Sequence, residues 1–488
     1  MLSVVEQTRL EVSVRTEAKK KSLLGQFLTP ENTASFMAGL FPASSGICRL
    51  LDAGAGIGSL SSAFLEKCIT GNLNFNQIQL KAFELDDTIH NELRHSLSPY
   101  LQKCRFSFEI FGNDFIEGAV NAIQFKKYNF THAILNPPYK KIGSHSKYRL
   151  LLRQVGIETV NLYSAFVGLA VALAAPGGQI VAIIPRSFCN GPYYRPFRDF
   201  ILERAALRYI HLFESRSQAF KDDDVLQENI IIRLERGGQR GPVTISTSTD
   251  DTFTDLATHQ HPFNRIIFPN DSERFIHVPT SPETIIELSP AIRYALTDLG
   301  IQISTGPVVD FRLKQHLRDR PEADSVPLIY PAHCSGSGVT WPMVGMKKSN
   351  AIQRNSDTEK WLYPTGFYCV VRRFSSKEEK RRIVASVVDP GRFDNAPMLG
   401  FENHLNVFHE NKRGLPQVLA HGLAVFLNST VVDEQFRRFS GHTQVNATDL
   451  KRMKYPSRDA LIDLGQWAMQ RGELTQTLID NQLGTLTA

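Results

Sequence analysis

Thr131-His132-Ala133-Ile134-Leu135-Asn136-Pro137-Pro138-Tyr139 is the stretch on which the reading of the fold turns. Its apolar first half has the composition of a buried strand end. Two prolines in succession can neither continue a central strand nor enter a helix, so the backbone must stop in a fixed, extended turn. The turn holds an amide side chain, a free carbonyl and an aromatic ring at the C-terminal edge of a sheet. In open α/β sheets that edge is where ligands bind. Such a set suits an amine whose lone pair is delocalised. The Asn136 side-chain oxygen and the Pro137 carbonyl can accept its N–H bonds, Pro138 keeps the turn rigid, and Tyr139 can stack on the ring bearing the amine. The plain alternative is a Pro-Pro loop with a half-buried tyrosine, so the rest of the chain decides.

Upstream, Ile47 to Leu51 reads as a strand that runs into Asp52-Ala53-Gly54-Ala55-Gly56-Ile57-Gly58, and a helix follows. Strand, glycine turn and helix form a nucleotide-binding corner, although the spacing differs from the dinucleotide fingerprint Gly-x-Gly-x-x-Gly. The next strand, Ile78 to Phe83, ends at Glu84, an acid placed to accept from both hydroxyls of a ribose. A third, Phe106 to Ile110, is followed by Asp114, an acceptor for an adenine amine. Before the glycine turn, Thr29 is the expected N-cap and Pro30 the first residue of a helix. Residues 1–22 form an N-terminal extension that supports neither helix nor strand decisively.

Downstream, Lys140-Lys141-Ile142-Gly143-Ser144-His145-Ser146-Lys147 is a polar loop fit to touch phosphates or simply to face water. A helix over Leu162 to Ala175, a strand over Gln179 to Ile184 and another over Asn229 to Leu234 continue a βα alternation, which implies a doubly wound α/β domain over 23–240. Glu235 to Pro242 looks like a boundary. Residues 245–488 then have scattered apolar runs and basic clusters, expected to form a mixed α+β domain. Within it, Arg437-Arg438-Phe439-Ser440-Gly441-His442-Thr443-Gln444-Val445-Asn446 interleaves cations with amides. These groups contact phosphates and base edges, and Arg437, Arg438, His442, Gln444 and Asn446 join Lys140, Lys141 and Lys147 as DNA-contact candidates.

The 488 residues are 42% hydrophobic and 21% charged, with a net charge of +6, as for a globular protein of roughly two or three domains that tolerates nucleic acid without announcing it. Six scattered cysteines without a Cys-x-x-Cys pair argue for a reducing compartment and against structural zinc. No signal-peptide core and no membrane-length apolar run is present, so no membrane partner is expected.

Together these motifs resemble the S-adenosylmethionine-dependent amino-methyltransferases of DNA, in the γ arrangement of the N6-adenine enzymes, over most of 23–235. The resemblance implies a Rossmann-like domain with S-adenosylmethionine as cofactor. Thr29 and Pro30 would belong to its N-terminal cofactor motif, Asp52, Gly54, Gly56 and Gly58 to its glycine motif, Glu84 to the ribose and Asp114 to the adenine. Asn136 to Tyr139 would be the catalytic turn, and Phe220 falls where the family places an aromatic against a flipped base. It further implies double-stranded DNA as partner, a cytoplasmic setting, a monomer, and a separate cognate restriction endonuclease. Residues 440–456 resemble the end of the target-recognition domain in methyltransferases of the PstI and PaeR7I kind.

Motif order adds a constraint. The residues between glycine turn and catalytic turn are occupied by two strands and their helices, so a DNA-reading domain must lie in the C-terminal half. Only about two dozen residues precede the cofactor motif, too few for a cleavage domain. Rival readings share the catalytic turn: methylation of RNA adenine, of a protein glutamine amide, or of cytosine N4. A DNA-binding protein with a degenerate methyltransferase domain is another, opposed by the intact Asp52, Glu84, Asn136 and Tyr139.

Overall fold

The computed structural model describes residues 1–15, 28–71, 73–127, 129–214, 228–269, 271–279, 291–335, 338–375, 379–439 and 444–487. They form two compact units, Met1–Thr284 and Ile285–Ala488. In the first unit, strands β1 (Ser45–Ala53), β2 (Asn74–Phe83), β3 (Phe106–Phe111), β4 (Phe130–Leu135), β5 (Ala174–Pro185), β6 (Ala205–Phe213), β7 (Asn229–Arg236), β8 (Val243–Ser248) and β9 (Ala257–His261) make one sheet. Their order is β3-β2-β1-β4-β5-β7-β6-β8-β9. β1 to β5 are parallel, and β7 runs antiparallel to both β5 and β6.

The sheet is buried on both sides. Ile180, Ala182 and Ile184 of β5 face one core, whereas Val181 and Ile183 face the other. This period of two inside a continuous apolar run is the signature of a doubly covered parallel strand. Helices α2 (Glu31–Gly39), α3 (Ser59–Ile69) and α4 (His90–Leu97) contribute to one layer, and α5 (Phe115–Gln124), α7 (Leu162–Leu173) and α8 (Arg195–Arg204) to the other; α6 (Lys147–Gln154) lies beside α5. The chain leaves β1 towards β2 and β3, then returns to β1's other side as β4. That reversal is the topological switch point, and it places a crevice at the C-terminal ends of β1 and β4.

Three expectations change. The described part of the N-terminal extension is helical, α1 (Leu2–Arg15), with Val5, Arg9 and Val12 buried at helical spacing and Val5 and Val12 packed with Ile57. Thr29 is not the cap of α2. Pro30 occupies that position, and the Glu31 N–H donates to Glu6 Oε2 of α1 at 3.0 Å. Finally, the sheet does not end near residue 240. β8 pairs in parallel with β6 and β9 closes the edge, so the first unit extends well beyond the Gly-rich turn at 237–241.

The second unit is mixed α+β. β10 (Gln302–Thr305), β20 (Leu405–His409), β17 (Tyr368–Arg372) and β18 (Ala385–Val388) form an antiparallel sheet. β11 (Leu317–Arg318), β15 (Ala351–Gln353), β12 (Ser325–Ile329), β19 (Met398–Phe401) and β16 (Leu362–Pro364) form a mixed one, and β13 (Cys334–Ser335) pairs with β14 (Gly338–Val339). Helices Gln417–Leu427 and Arg458–Met469 cross at their glycines. A Cβ on Gly422 would lie 1.7 Å from the Leu461 carbonyl oxygen, and one on Gly465 1.7 Å from that of Val418. Only glycine permits this approach.

Candidate active site

The glycine turn is tied down from two directions. Gly54 and Ala55 N–H both donate to the Phe83 carbonyl at the end of β2, at 2.8 and 3.0 Å. Gly54 has φ +80, and a Cβ there would lie 3.5 Å from the Asn136 carbonyl oxygen. Gly56 has φ +56, and its Cβ would press to 2.8 Å from Leu28 Cδ2. The turn after β1 thus lies against the turn after β4, leaving a floor free of side chains.

Above this floor is a cavity of about 390 Å³ bordered by Gly54, Gly56, Glu84, Asp114, Asn136 and Pro138 among others. Glu84 is buried. Its Oε2 accepts from Gly56 N at 2.7 Å and its Oε1 from Asp86 N at 2.8 Å, while burial holds its pKa above the usual carboxylate range against those bonds. Asp114 caps α5 through Glu117 N at 3.1 Å and accepts from the Tyr148 hydroxyl at 2.6 Å. Burial, then the Asp114 acceptor, push the Tyr148 phenol up to about 12.

Asn136 is fixed from both sides. Its Nδ2 donates to Thr29 Oγ1 at 2.9 Å, and its Oδ1 accepts from the Tyr139 hydroxyl at 3.2 Å. The Tyr139 hydroxyl also lies 3.3 Å from the Ile183 carbonyl. With a donor bond to Thr29 at one end and an acceptor bond from Tyr139 at the other, the amide's orientation is set. Burial pushes the Tyr139 phenol far up, so it stays protonated.

The structure brings together Gly54, Gly56, Glu84, Asp114, Asn136, Pro138, Lys140 and Lys141 around one cavity, with Thr29 bonded to Asn136. It sets others apart. Asp52 is fully buried beneath the turn, off the cavity wall; its Oδ2 accepts from Ser61 Oγ at 2.6 Å, its Oδ1 has no partner, and burial raises its pKa to about 7. Gly58, φ +89, starts α3. Lys147 pairs with Glu117 at 2.5 Å on the surface. The loop after the Asn-Pro-Pro-Tyr turn is a cavity wall as well as a polar surface: Lys140, Lys141, Ile142, Gly143, Ser146 and Tyr148 line it. Tyr148 and Phe166 are site residues the sequence reading missed. Tyr148 stood in a loop without periodicity, and Phe166 on a helix apolar all round.

In the second unit, Arg437 donates to Asp433 Oδ2 and to the Glu379 carbonyl, both at 2.8 Å. Gln444 Oε1 accepts from Arg373 at 3.2 Å, and Asn446 caps the helix Ala447–Arg452 with Asp449. These three are engaged internally rather than standing as free contacts. Phe220 and His442 lie outside the described residues, as does the Arg438 side chain. Among the described residues no group of His, Cys, Asp and Glu is arranged to hold a metal ion, and no helix is long and apolar enough to cross a membrane.

A doubly wound sheet whose switch point carries a glycine floor, a buried acid at the cavity and a rigid Asn-Pro-Pro-Tyr turn is the fold of a Rossmann-like, S-adenosylmethionine-dependent methyltransferase. Residues 13–220 match the Eco57I restriction-modification methylase family. The chain is 51% identical to type II methyltransferase M.BsuBI of Bacillus subtilis, covering 100% of this chain and 98% of that one. It is 41% identical to type II methyltransferase M.PstI of Providencia stuartii, covering 98% and 95%. In fold it is similar to the DrdV-DNA complex seen by cryoEM, with TM-score 0.50 and 11% identity over 96% of this chain and 59% of that one. The chain belongs to the type II restriction-modification methyltransferases, and its cofactor is S-adenosylmethionine.

Proposed function

We propose that the enzyme methylates N6 of an adenine extruded from duplex DNA, at a specific site, and so protects that site from a cognate endonuclease. The observation that carries this is the fixed Asn136 amide. Its Nδ2 donates to Thr29 and its Oδ1 accepts from the Tyr139 hydroxyl, which fixes the amide as a preorganised acceptor for a ligand amine, with the Pro137 carbonyl as the proposed second acceptor. An exocyclic amine offers two N–H donors to match. Both acceptors favour the tetrahedral, positively charged nitrogen over the planar one, and no strong base is needed before the nitrogen carries its methyl.

Bound S-adenosylmethionine supplies the electrophilic methyl group. The residues fit that molecule. Gly54 and Gly56 leave the room a Cβ would fill, Glu84 holds its carboxylate at the cavity for a ribose, and Asp114 with Tyr148 stands where an adenine would lie. Asp52 acts from below, by holding Ser61 and the start of α3. Adenine in a duplex pairs through the amine to be methylated, so it must leave the stack, and Tyr139 would stack on it. Phe220 would be a second contact. The second unit would read the site. The test is incubation with labelled cofactor and, separately, duplex DNA, structured RNA and a glutamine-bearing protein. Label is expected in DNA as N6-methyladenine; label confined to RNA or protein, or N4-methylcytosine as product, would overturn the reading.

A further inference from the structure

In the second unit, the parallel strands β12 and β19 end side by side, Ile329 opposite Phe401. Directly after them come Tyr330 and Glu402, and Val308 bridges to Glu402 so that Asp310 arrives at the same edge. Glu402 is fully buried. Its Oε1 lies 2.6 Å from His404 Nδ1, and its Oε2 accepts from His404 N at 3.0 Å. The His404 side chain is nonetheless 43% exposed. A carboxylate holding Nδ1–H leaves Nε2 as an oriented acceptor facing out.

Beside it, Lys348 Nζ donates to Asp310 Oδ2 at 2.6 Å and lies 5.7 Å from the Tyr330 ring centroid. One N–H of the ammonium is committed to Asp310, and two remain to give. The Tyr330 side chain is buried and its hydroxyl has no hydrogen-bond partner, although Asp310 and Glu402 are near enough for their charges to act on it. Phe374, 46% exposed, packs against His404 at 4.9 Å, and Arg373 donates to the Asn403 carbonyl and to Gln444 and accepts from the Val445 N–H, so the 437–446 stretch reaches this neighbourhood. Exposed Arg312, Lys314 and Lys347 stand nearby in sequence.

We infer that this patch is where the second unit reads base edges, with Lys348 donating to guanine O6/N7 and His404 Nε2 accepting from cytosine N4 of one G·C pair in the target. A buried carboxylate is costly to keep in a core, and this one commits one oxygen to the His404 backbone N–H and the other to orienting an exposed imidazole. A donor set beside an acceptor matches the major-groove edge of G·C, and the cations around it suit phosphates. The inference rests on the reading that the enzyme acts on duplex DNA.

The test uses the full chain with duplexes carrying every single-base-pair change in the mapped site. Wild type, His404→Ala, Lys348→Ala and the neighbouring Lys347→Ala are compared by kcat/KM. Both patch variants are expected to lose discrimination at one G·C position by about tenfold or more, through a lower kcat/KM on the cognate duplex with little change on duplexes altered at that position, while Lys347→Ala keeps the wild-type discrimination. Discrimination unchanged at every position, or weakening uniform across all duplexes, would overturn the inference while leaving DNA methylation standing. A wild-type enzyme that methylates no DNA would overturn the underlying reading first.

Discussion

Thr29 carries more of the chemistry than its place before a helix suggests. Its hydroxyl accepts from the Asn136 amide nitrogen and so fixes which end of that amide is presented as oxygen. Thr29→Val should therefore lower the single-turnover rate by roughly tenfold to a hundredfold, as for other misplaced groups, with cofactor affinity unchanged in calorimetry; an unaltered rate would sink this role. Glu84→Ala removes an acid that also anchors Gly56 and Asp86, so cofactor affinity should fall at least about tenfold, and calorimetry showing no change would refute the ribose assignment. Asp52 gives a pH signature. Its folded-state pKa of about 7 is above that of an exposed carboxylate, so the native state keeps a proton that the unfolded chain releases. Stability from this source is present below about pH 4 and is lost as pH rises towards 7. Asp52→Asn should gain thermal stability relative to wild type across that window, and a difference independent of pH would contradict the burial argument. Glu84 and Asn136 could be placed at the cavity from the sequence because they close apolar runs, whereas Asp52, expected on the cofactor for the same reason, lies buried beneath the turn on Ser61. Thr29's partner, 107 positions away, could not be read.

At the scale of elements, the parallel strands and the glycine turn could be read because glycine and proline punctuate them. Helix α1 could not: Val5, Arg9 and Val12 mark a helical face, but Leu10, Val12 and Val14 alternate as a strand does, and only packing on Ile57 decides. The Glu6 carboxylate then does what a local cap would, across 25 residues. Glu6→Ala should destabilise the protein by about 1–2 kcal/mol, the range for a lost cap, read from urea unfolding. The helix crossing at Gly422 and Gly465 was equally hidden, since a glycine inside a helical pattern reads as a weakness rather than a contact. Gly422→Ala must drive a methyl group into the Leu461 carbonyl, and a loss of about 1–3 kcal/mol or more is expected. A neutral melt for this variant would mean the helices can separate freely.

At the scale of the molecule, the division near 240 was inferred from a Gly-rich turn, but strand pairing outweighs composition there. β8 and β9 add to the first unit's sheet. A chain cut at 240 would bare the β6 edge and should aggregate, whereas one ending at 284 should stay soluble, bind cofactor and lose site selectivity; selective methylation by the shorter piece would contradict that division of labour. The second unit's strands were illegible because most are two to five residues long and carry no sustained period. The proposed transfer turns on one amide oxygen and one amine. Its most direct measurement is single-turnover methylation of duplex DNA by wild type and Asn136→Ala, with the nucleosides identified by mass spectrometry. N6-methyladenine alone is expected, formed at least on the order of 10²-fold more slowly by Asn136→Ala, with duplex and cofactor affinities nearly intact. A methylated cytosine, or an undiminished rate in Asn136→Ala, would contradict the proposed transfer.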